Sequence, residues 1–194
     1  AFVSIEDERF YSHEGVDYKR TAAAIINLAL NQIGVQREEF GGSTITQQLI
    51  KNNVFTDWIT GESTFGKIKR KVQEQYLAIK VEDVMSKDQI FEYYVNLLSF
   101  GNGANGIATA AKAYFDKDLK DLTLSEAAVL APLALSPVRQ NPINHPEVNA
   151  KRRETCIKKM YELGFCSYEE AQEAFADDVY TRIAEIHANK KPDN

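Results

Sequence analysis

Apolar residues recur at helical spacing along nearly the whole chain, and that pattern predicts a mainly α protein. The predicted helices cover about residues 5–13, 18–32, 44–53, 64–82, 86–97, 104–114, 124–134, 146–163 and 167–176. In the first, Ser4 is positioned to cap with Asp7 three residues on. Glu6, Phe10 and His13 then form one stripe at i, i+4 and i+7, and Gly15 supplies a left-handed stop. In the third, Thr44 caps with Gln47 at the capping-box position, so Thr44, Gln48 and Lys51 share a polar face beside the apolar pair Ile45 and Leu49. The fourth has the most regular wheel. Phe65, Ile68, Val72, Tyr76 and Ile79 fall within about 80° of arc and predict its core face, with Lys67, Arg70, Lys71 and Glu74 on the opposite side. Ser86 to Gln89 and Ser167 to Glu170 read as capping boxes, and Gly164 followed by Phe165 as a helix stop. Glycines at 41 and 42, and at 101, 103 and 106, mark joints where backbone can approach another group closely. No internal repeat or low-complexity tract interrupts the pattern.

Composition narrows the class. The 194 residues are 44% hydrophobic, enough for one ordinary domain with a real core and too few for a second large one. A net charge of -5 argues against a nucleic-acid partner, which a basic surplus would favour. Cys156 and Cys166 lack metal-ligand spacing and read as packing or incidental thiols. No apolar run is long enough to span a bilayer. Ala1-Phe2-Val3-Ser4 leads straight into the first motif as an excised piece of a longer protein would, and residues 189–194 read as a polar tail or linker after a domain of residues 1–188.

Three elements then carry the chemistry. They are a carboxylate beside an aromatic and an imidazole, a glycine-fed helix start suited to anions, and a basic stripe with a carboxylate in its midst. A glycosidase needs an acid to protonate a poor sugar leaving group, with a second carboxylate as base or nucleophile. A glycosyl transfer from a sugar pyrophosphate already has a good leaving group, so it needs cations on the pyrophosphate and one base for the acceptor hydroxyl. Lys51, Arg70 and Lys71 favour the transfer.

The blocks EDERFYSHEGVD (6–17), GGSTITQQLIKN (41–52), RKVQEQYLAIKVE (70–82), EYYVNLLSFGNGANGI (92–107) with AAKAYF (110–115), and LTLSEAAVLAPLALSP (122–137) leading to Arg152-Arg153 stand in the order found in a known family. In them the chain resembles the peptidoglycan glycosyltransferase domain of class A penicillin-binding proteins and monofunctional transglycosylases. The resemblance implies a mainly α, lysozyme-like fold with a large head lobe and a small membrane-facing jaw lobe. It implies polymerisation of lipid II into β-1,4-linked glycan with inversion, at the extracytoplasmic face of the bacterial cytoplasmic membrane, with the anchoring segment absent here. By position, Glu6 matches the base toward the acceptor 4-hydroxyl, and Glu74 the second essential glutamate, near the donor pyrophosphate. Lys51, Arg70 and Lys71 match positions around the donor phosphates, with Lys67 alongside. Asp7, Phe10, His13, Ser43, Thr44, Gln47, Gln48 and Asn52 match binding or scaffolding positions. His13 thereby reads as scaffold rather than as acid or base. Moenomycin-type phosphoglycolipids would bind the same groups.

Several positions depart from the family pattern. Gly66 stands where members commonly carry a basic residue, Asn105 where a tyrosine is usual, and Asp116 and Pro132 where glycines are usual. No dedicated metal-ligand pattern is visible, although two carboxylates near phosphates leave room for a divalent cation at the pyrophosphate. Residues 22–30 are strongly apolar, and Phe40, Phe55, Trp58, Ile59 and Phe65 suit either a packed core or a lipid-facing surface. A lysozyme-like lytic enzyme and a noncatalytic glycan-binding module are the alternative readings of the same chain.

Overall fold

The computed structural model describes residues 1–32, 34–35, 41–55 and 63–190, and among them the protein is helical throughout, with no strand beyond two isolated bridges, Glu14 to Val16 and Ser99 to Asn105. The chain divides into two compact units, residues 1–8 with 95–194 and residues 9–94.

The first unit contains α1 (Phe2–Glu6), the end of a helix α5 (Lys87–Leu97), α6 (Ile107–Phe115), α7 (Leu124–Leu130) continued by a 3-10 turn (Ala131–Ala134), α8 (Pro146–Glu162), α9 (Tyr168–Ala176) and α10 (Val179–Lys190). Helix α8 is central and packs on α1, α7 and α9, while α10 packs on α6. Phe2 and Phe100 meet edge to face at 6.0 Å between ring centroids. Leu130, Leu133, Ile157 and Ile183 are also fully buried in this unit, and such a side chain contributes about 1.5–3 kcal/mol when taken from water.

Three buried polar side chains of this unit, Asn149, Arg153 and Glu126, are met by backbone and side-chain partners together. Buried Asn149 donates to the carbonyls of Gln140 (2.7 Å) and Val129 (3.1 Å) and accepts from the Tyr180 hydroxyl (2.7 Å), which joins α7, α8 and α10. Buried Arg153 donates to Ser125 Oγ and to the carbonyls of Ala174 and Asp177. Glu126, at the N3 position of α7, accepts from Lys117 Nζ (2.8 Å), from the Thr123 backbone N–H (2.9 Å) and from Arg182 (3.4 Å). Arg182 also donates to Asp177 at 2.5 Å. Burial pushes the Glu126 carboxyl up, but these donors together outweigh it and leave it below its ordinary value. Asp177 is likewise held low, chiefly by Arg182.

The second unit contains a 3-10 turn (Phe10–Ser12), α2 (Tyr18–Gln32), α3 (Ile45–Val54), α4 (Thr64–Glu82) and the start of α5. Val16, Ile50, Phe55 and Ala78 form its buried cluster, with Leu77, Ile79 and Val81 packed against them. Gly15, at φ +81°, lies against the α4 backbone. A Cβ there would stand 2.5 Å from the Ala78 carbonyl carbon, so only glycine allows this approach.

Local signals were read well where a side chain bonds its own backbone. The capping boxes at Thr44/Gln47, Ser86/Gln89 and Ser167/Glu170 form, and Gly164 ends α8 at φ +74° with Phe165 N–H on Met160 O (2.8 Å). Asp116 adopts the left-handed conformation at the end of α6 (φ 55°), which a short polar side chain tolerates, and Pro132 sits at the start of a 3-10 turn that its fixed φ suits.

Other expectations are corrected. Residues 5–13 are not one helix. α1 ends at Glu6 and a separate 3-10 turn begins at Phe10, so Glu6, Phe10 and His13 share no continuous helical face, and Ser4 lies inside α1 with its hydroxyl donating to Ala1 O rather than capping. The rigid bidentate pair of Arg9 on Asp17 (2.8 and 2.5 Å) draws the chain into a tight turn that competes with helix. Helix α4 is reversed. Phe65, Ile68, Val72 and Tyr76 are 77, 59, 60 and 62% exposed, while Glu74 and Ala78 are fully buried; of the predicted core face, Ile79 alone packs inward. Phe55 is buried core and not a lipid-facing residue. Phe40, Trp58 and Ile59 lie outside the described residues. Helix α10, absent from the predicted spans, runs to Lys190, and residues 191–194 lie outside the described residues.

Candidate functional site

Of the groups singled out in the second unit, Arg70 and Lys71, with Ser43 behind Lys71, gather at Glu74. It lies on the inward side of α4, fully buried. Arg70, one turn earlier, donates to Oε1, and Lys71 donates to Oε2 at 2.9 Å. The Lys71 ammonium also donates to Ser43 Oγ at 2.6 Å, joining α4 to the entry of α3. A buried carboxylate with no partner would be costly, and here both of its oxygens are met by cations. Two cations to one carboxylate leave one net positive charge beside the α3 N-terminus, a place that favours anions.

The α3 entry is built from the glycine-fed turn. Thr44 is buried, its hydroxyl donating to Gly15 O (2.6 Å) and accepting from Gln47 N (3.1 Å), while Gln47 Oε1 accepts from Thr44 N (2.9 Å). The Thr44 hydroxyl is thus used within the fold, and the polar face beyond it is carried by half-buried Gln48 and Lys51. Tyr94 donates to Gln48 Oε1 at 3.1 Å. Asn52 and Lys67 are exposed.

The first motif is divided between the units. Glu6 and Asp7 belong to the first and are buried, at 7% and 0% exposure. Phe10 and His13 belong to the second, their rings meeting edge to face at 6.2 Å. Arg9 and the Arg20 backbone N–H outweigh the upward effect of burial on Asp17 and hold its carboxyl below its ordinary value.

Residues missed by sequence reading surround this motif. Thr46 donates to Glu82 Oε1 (2.5 Å), and Lys87 donates to Glu82 (2.7 Å), lies 3.3 Å from His13 Nδ1 and sits 4.5 Å from the Phe10 ring centroid. The signal was present as a carboxylate in the last turn of one helix and an ammonium in the first turn of the next, each at the end its helix dipole disfavours. Among the described residues no group of three or more His, Cys, Asp or Glu could hold a metal ion, and none of the helices is long and apolar enough to cross a membrane.

Comparison with known proteins places the chain in a family. A family model described as Transglycosylase matches residues 1–161. Penicillin-binding protein 1A of Clostridium acetobutylicum is 43% identical over 183 residues, covering 91% of this chain and 22% of that protein. Penicillin-binding protein 1F of Bacillus subtilis is 44% identical over 171 residues, covering 88% of this chain and 22% of its own length. The chain therefore spans roughly a fifth of these relatives. The crystal structure of penicillin-binding protein 1A from Haemophilus influenzae is 35% identical and covers 49% of this chain and 14% of its own, with a TM-score of 0.46. With the family model matching most of its length, this chain belongs to the transglycosylase family.

Proposed function

We propose that the chain is a peptidoglycan glycosyltransferase that polymerises lipid II into β-1,4-linked glycan strands. The observation that carries this reading is Glu74, buried and gripped by Arg70 and Lys71 beside the α3 N-terminus. That is equipment for a departing pyrophosphate. In the proposed reaction Glu6 takes the proton of the acceptor 4-hydroxyl, and the oxygen attacks the donor's anomeric carbon from the face opposite the leaving group, so configuration inverts. The new C–O bond forms as the bond to undecaprenyl pyrophosphate breaks, and the electron pair leaves on the pyrophosphate. Lys51, Arg70 and Lys71, with Lys67 alongside, meet that charge electrostatically, the usual largest contribution in such transfers. Ser43, Thr44, Gln47, Gln48, Asn52, Asp7, Phe10 and His13 bind or scaffold around them. A hydrolase would need a second carboxylic acid able to donate a proton, whereas both oxygens of Glu74 accept from cations.

The same reading assigns residues 1–188 to a lysozyme-like transferase domain with head and jaw lobes at the extracytoplasmic membrane surface. Support for the membrane comes from the outward row of α4, Phe65, Ile68, Val72 and Tyr76, and from exposed Ile25 and Ile26 on α2. Moenomycin-type phosphoglycolipids would compete for the phosphate-side groups.

Labelled lipid II incubated with the protein and resolved by chain length on a gel tests the function, with Glu6→Gln as control. Long uncrosslinked glycan from the wild type alone is expected. Equal polymer from Glu6→Gln refutes the assigned base, shortening of finished peptidoglycan without use of lipid II points to the lytic enzyme, and binding without turnover points to the module.

A further inference from the structure

Glu82 closes α4 and Lys87 opens α5, so a carboxylate sits at the negative end of one helix dipole and an ammonium at the positive end of the next. Neither placement favours its own helix. What they gain is each other, at 2.7 Å, and two further grips. Thr46 of α3 donates to Glu82, and Lys87 reaches the first motif, with Nζ 3.3 Å from His13 Nδ1 and 4.5 Å from the Phe10 ring centroid. The Glu82 side chain is 7% exposed, so the pair is sheltered rather than a solvated surface contact. It also borders a cleft of about 400 Å³ that His13, Glu14, Asp83 and Ser86 help to line.

An ammonium has three donors and no acceptor. Its contact with His13 is a hydrogen bond only when Nδ1 accepts, and a neutral imidazole that accepts at Nδ1 carries its proton on Nε2. We propose that Glu82 and Lys87 are positioning residues that lock His13 as the Nε2–H tautomer and hold the Phe10 to His13 turn in register with α3. Glu82 aims Lys87, Lys87 fixes the ring, and the ring is left as a hydrogen-bond donor at Nε2. The tautomer stands on geometry alone, while its consequence for turnover rests on the transferase reading above.

Two-bond ¹H–¹⁵N correlation spectra of the three histidines test this, with His13→Gln identifying the His13 signals. They are recorded at rising pH until the signals stop changing, so that the neutral rings are observed. The expected wild-type ring is wholly Nε2–H, with an Nδ1 shift marking an accepted hydrogen bond. Lys87→Met should bring in the Nδ1–H form, Glu82→Gln should move the ring partway, and Lys87→Arg should preserve it. In the lipid II assay Lys87→Met should lose about tenfold or more in kcat/KM, with Lys87→Arg restoring most of it. A protonated Nδ1 in the wild type, or a ring unchanged by Lys87→Met, overturns the proposal whether or not polymer forms. Should Lys87→Met not fold, the wild-type and Glu82→Gln spectra decide it. A wild-type chain that makes no polymer overturns the transferase reading and leaves the spectra to judge the tautomer.

Discussion

Replacing Gly15 by alanine should damage the second unit more than any other single methyl added to a glycine there. Two costs combine. At φ +81° a side chain incurs the left-handed penalty, about 1–2 kcal/mol. The added Cβ would also lie 2.5 and 2.6 Å from the Ala78 carbonyl carbon and oxygen and 2.7 Å from Ile79 N, all backbone atoms that cannot swing aside. Forcing such a contact apart costs about 1–3 kcal/mol more. Gly34 is the control, being in the same unit at φ +87° with nothing within 4 Å of its added Cβ, so Gly34→Ala should show the first cost alone. The difference of about 1–3 kcal/mol corresponds to roughly 2–12 °C in melting temperature for a chain of this size. Differential scanning calorimetry of the two variants measures it directly. Because Gly15 O also accepts from the Thr44 hydroxyl, Gly15→Ala should reduce polymer formation beyond its effect on stability. Equal melting shifts for the two variants would show that α4 yields freely at Ala78, and the close-approach argument would then fail.

Glu74→Gln should lower stability by about 1–3 kcal/mol, less than a fully buried pair would because Lys71 is 40% exposed. It should also abolish most polymer, and unchanged chemical denaturation would contradict the buried clamp. Acid sensitivity should map to Glu126 and Asp177. Their folded-state pKa values are depressed, so their stabilisation is complete above the ordinary values of 4.5 and 3.8 and is lost as pH falls through the folded values. Melting temperature followed from about pH 6 to 3 should fall less steeply for Glu126→Gln than for the wild type, and parallel curves would dismiss the assignment. Phe65→Ser combined with Val72→Ser should weaken sedimentation with anionic liposomes about tenfold or more while shifting stability by less than about 0.5 kcal/mol. Undiminished binding would remove α4 from the membrane reading.

The sequence was most legible where chemistry is local. Thr44 with Gln47 and Ser167 with Glu170 are contacts between residues three apart, so no distant element can alter them. The span of α4 was legible for the same reason, and its orientation was not. The wheel assigned the apolar row to the core, but α4 meets α3 on the side that carries Ala78, which packs with Ile50, and Lys71 reaches Ser43 at the α3 entry. A buried glutamate becomes affordable only once Arg70 and Lys71 meet both of its oxygens, and Lys71 is in turn held by Ser43 of another segment, which a single-helix pattern cannot reveal. The break between Glu6 and Phe10 depends on Arg9 finding Asp17 eight residues away. Helix α10 was within reach, since Val179, Ile183 and Ile186 stand at i, i+4 and i+7, two of them fully buried. Among the candidate site residues, Arg70, Lys71, Glu74 and Ser43 were named from sequence and meet in space, while Glu82 and Lys87 went unnamed because their further partners, Thr46 and His13, stand 36 and 74 residues away along the chain.

The two rows of α4 are carried on one rigid rod of 19 residues, and this fixes a distance. A helix with its side chains is about 10 Å across, so the outward aromatic and aliphatic row and the inward cations keep that separation whatever the rest of the chain does. On the membrane reading proposed above, such a rod would act as a depth gauge, because the level at which the outer row settles would set the height of Arg70 and Lys71. Inserting one residue within the helix would turn everything beyond it by about 100° and break both rows, so they can be retuned one side chain at a time but never slid past each other.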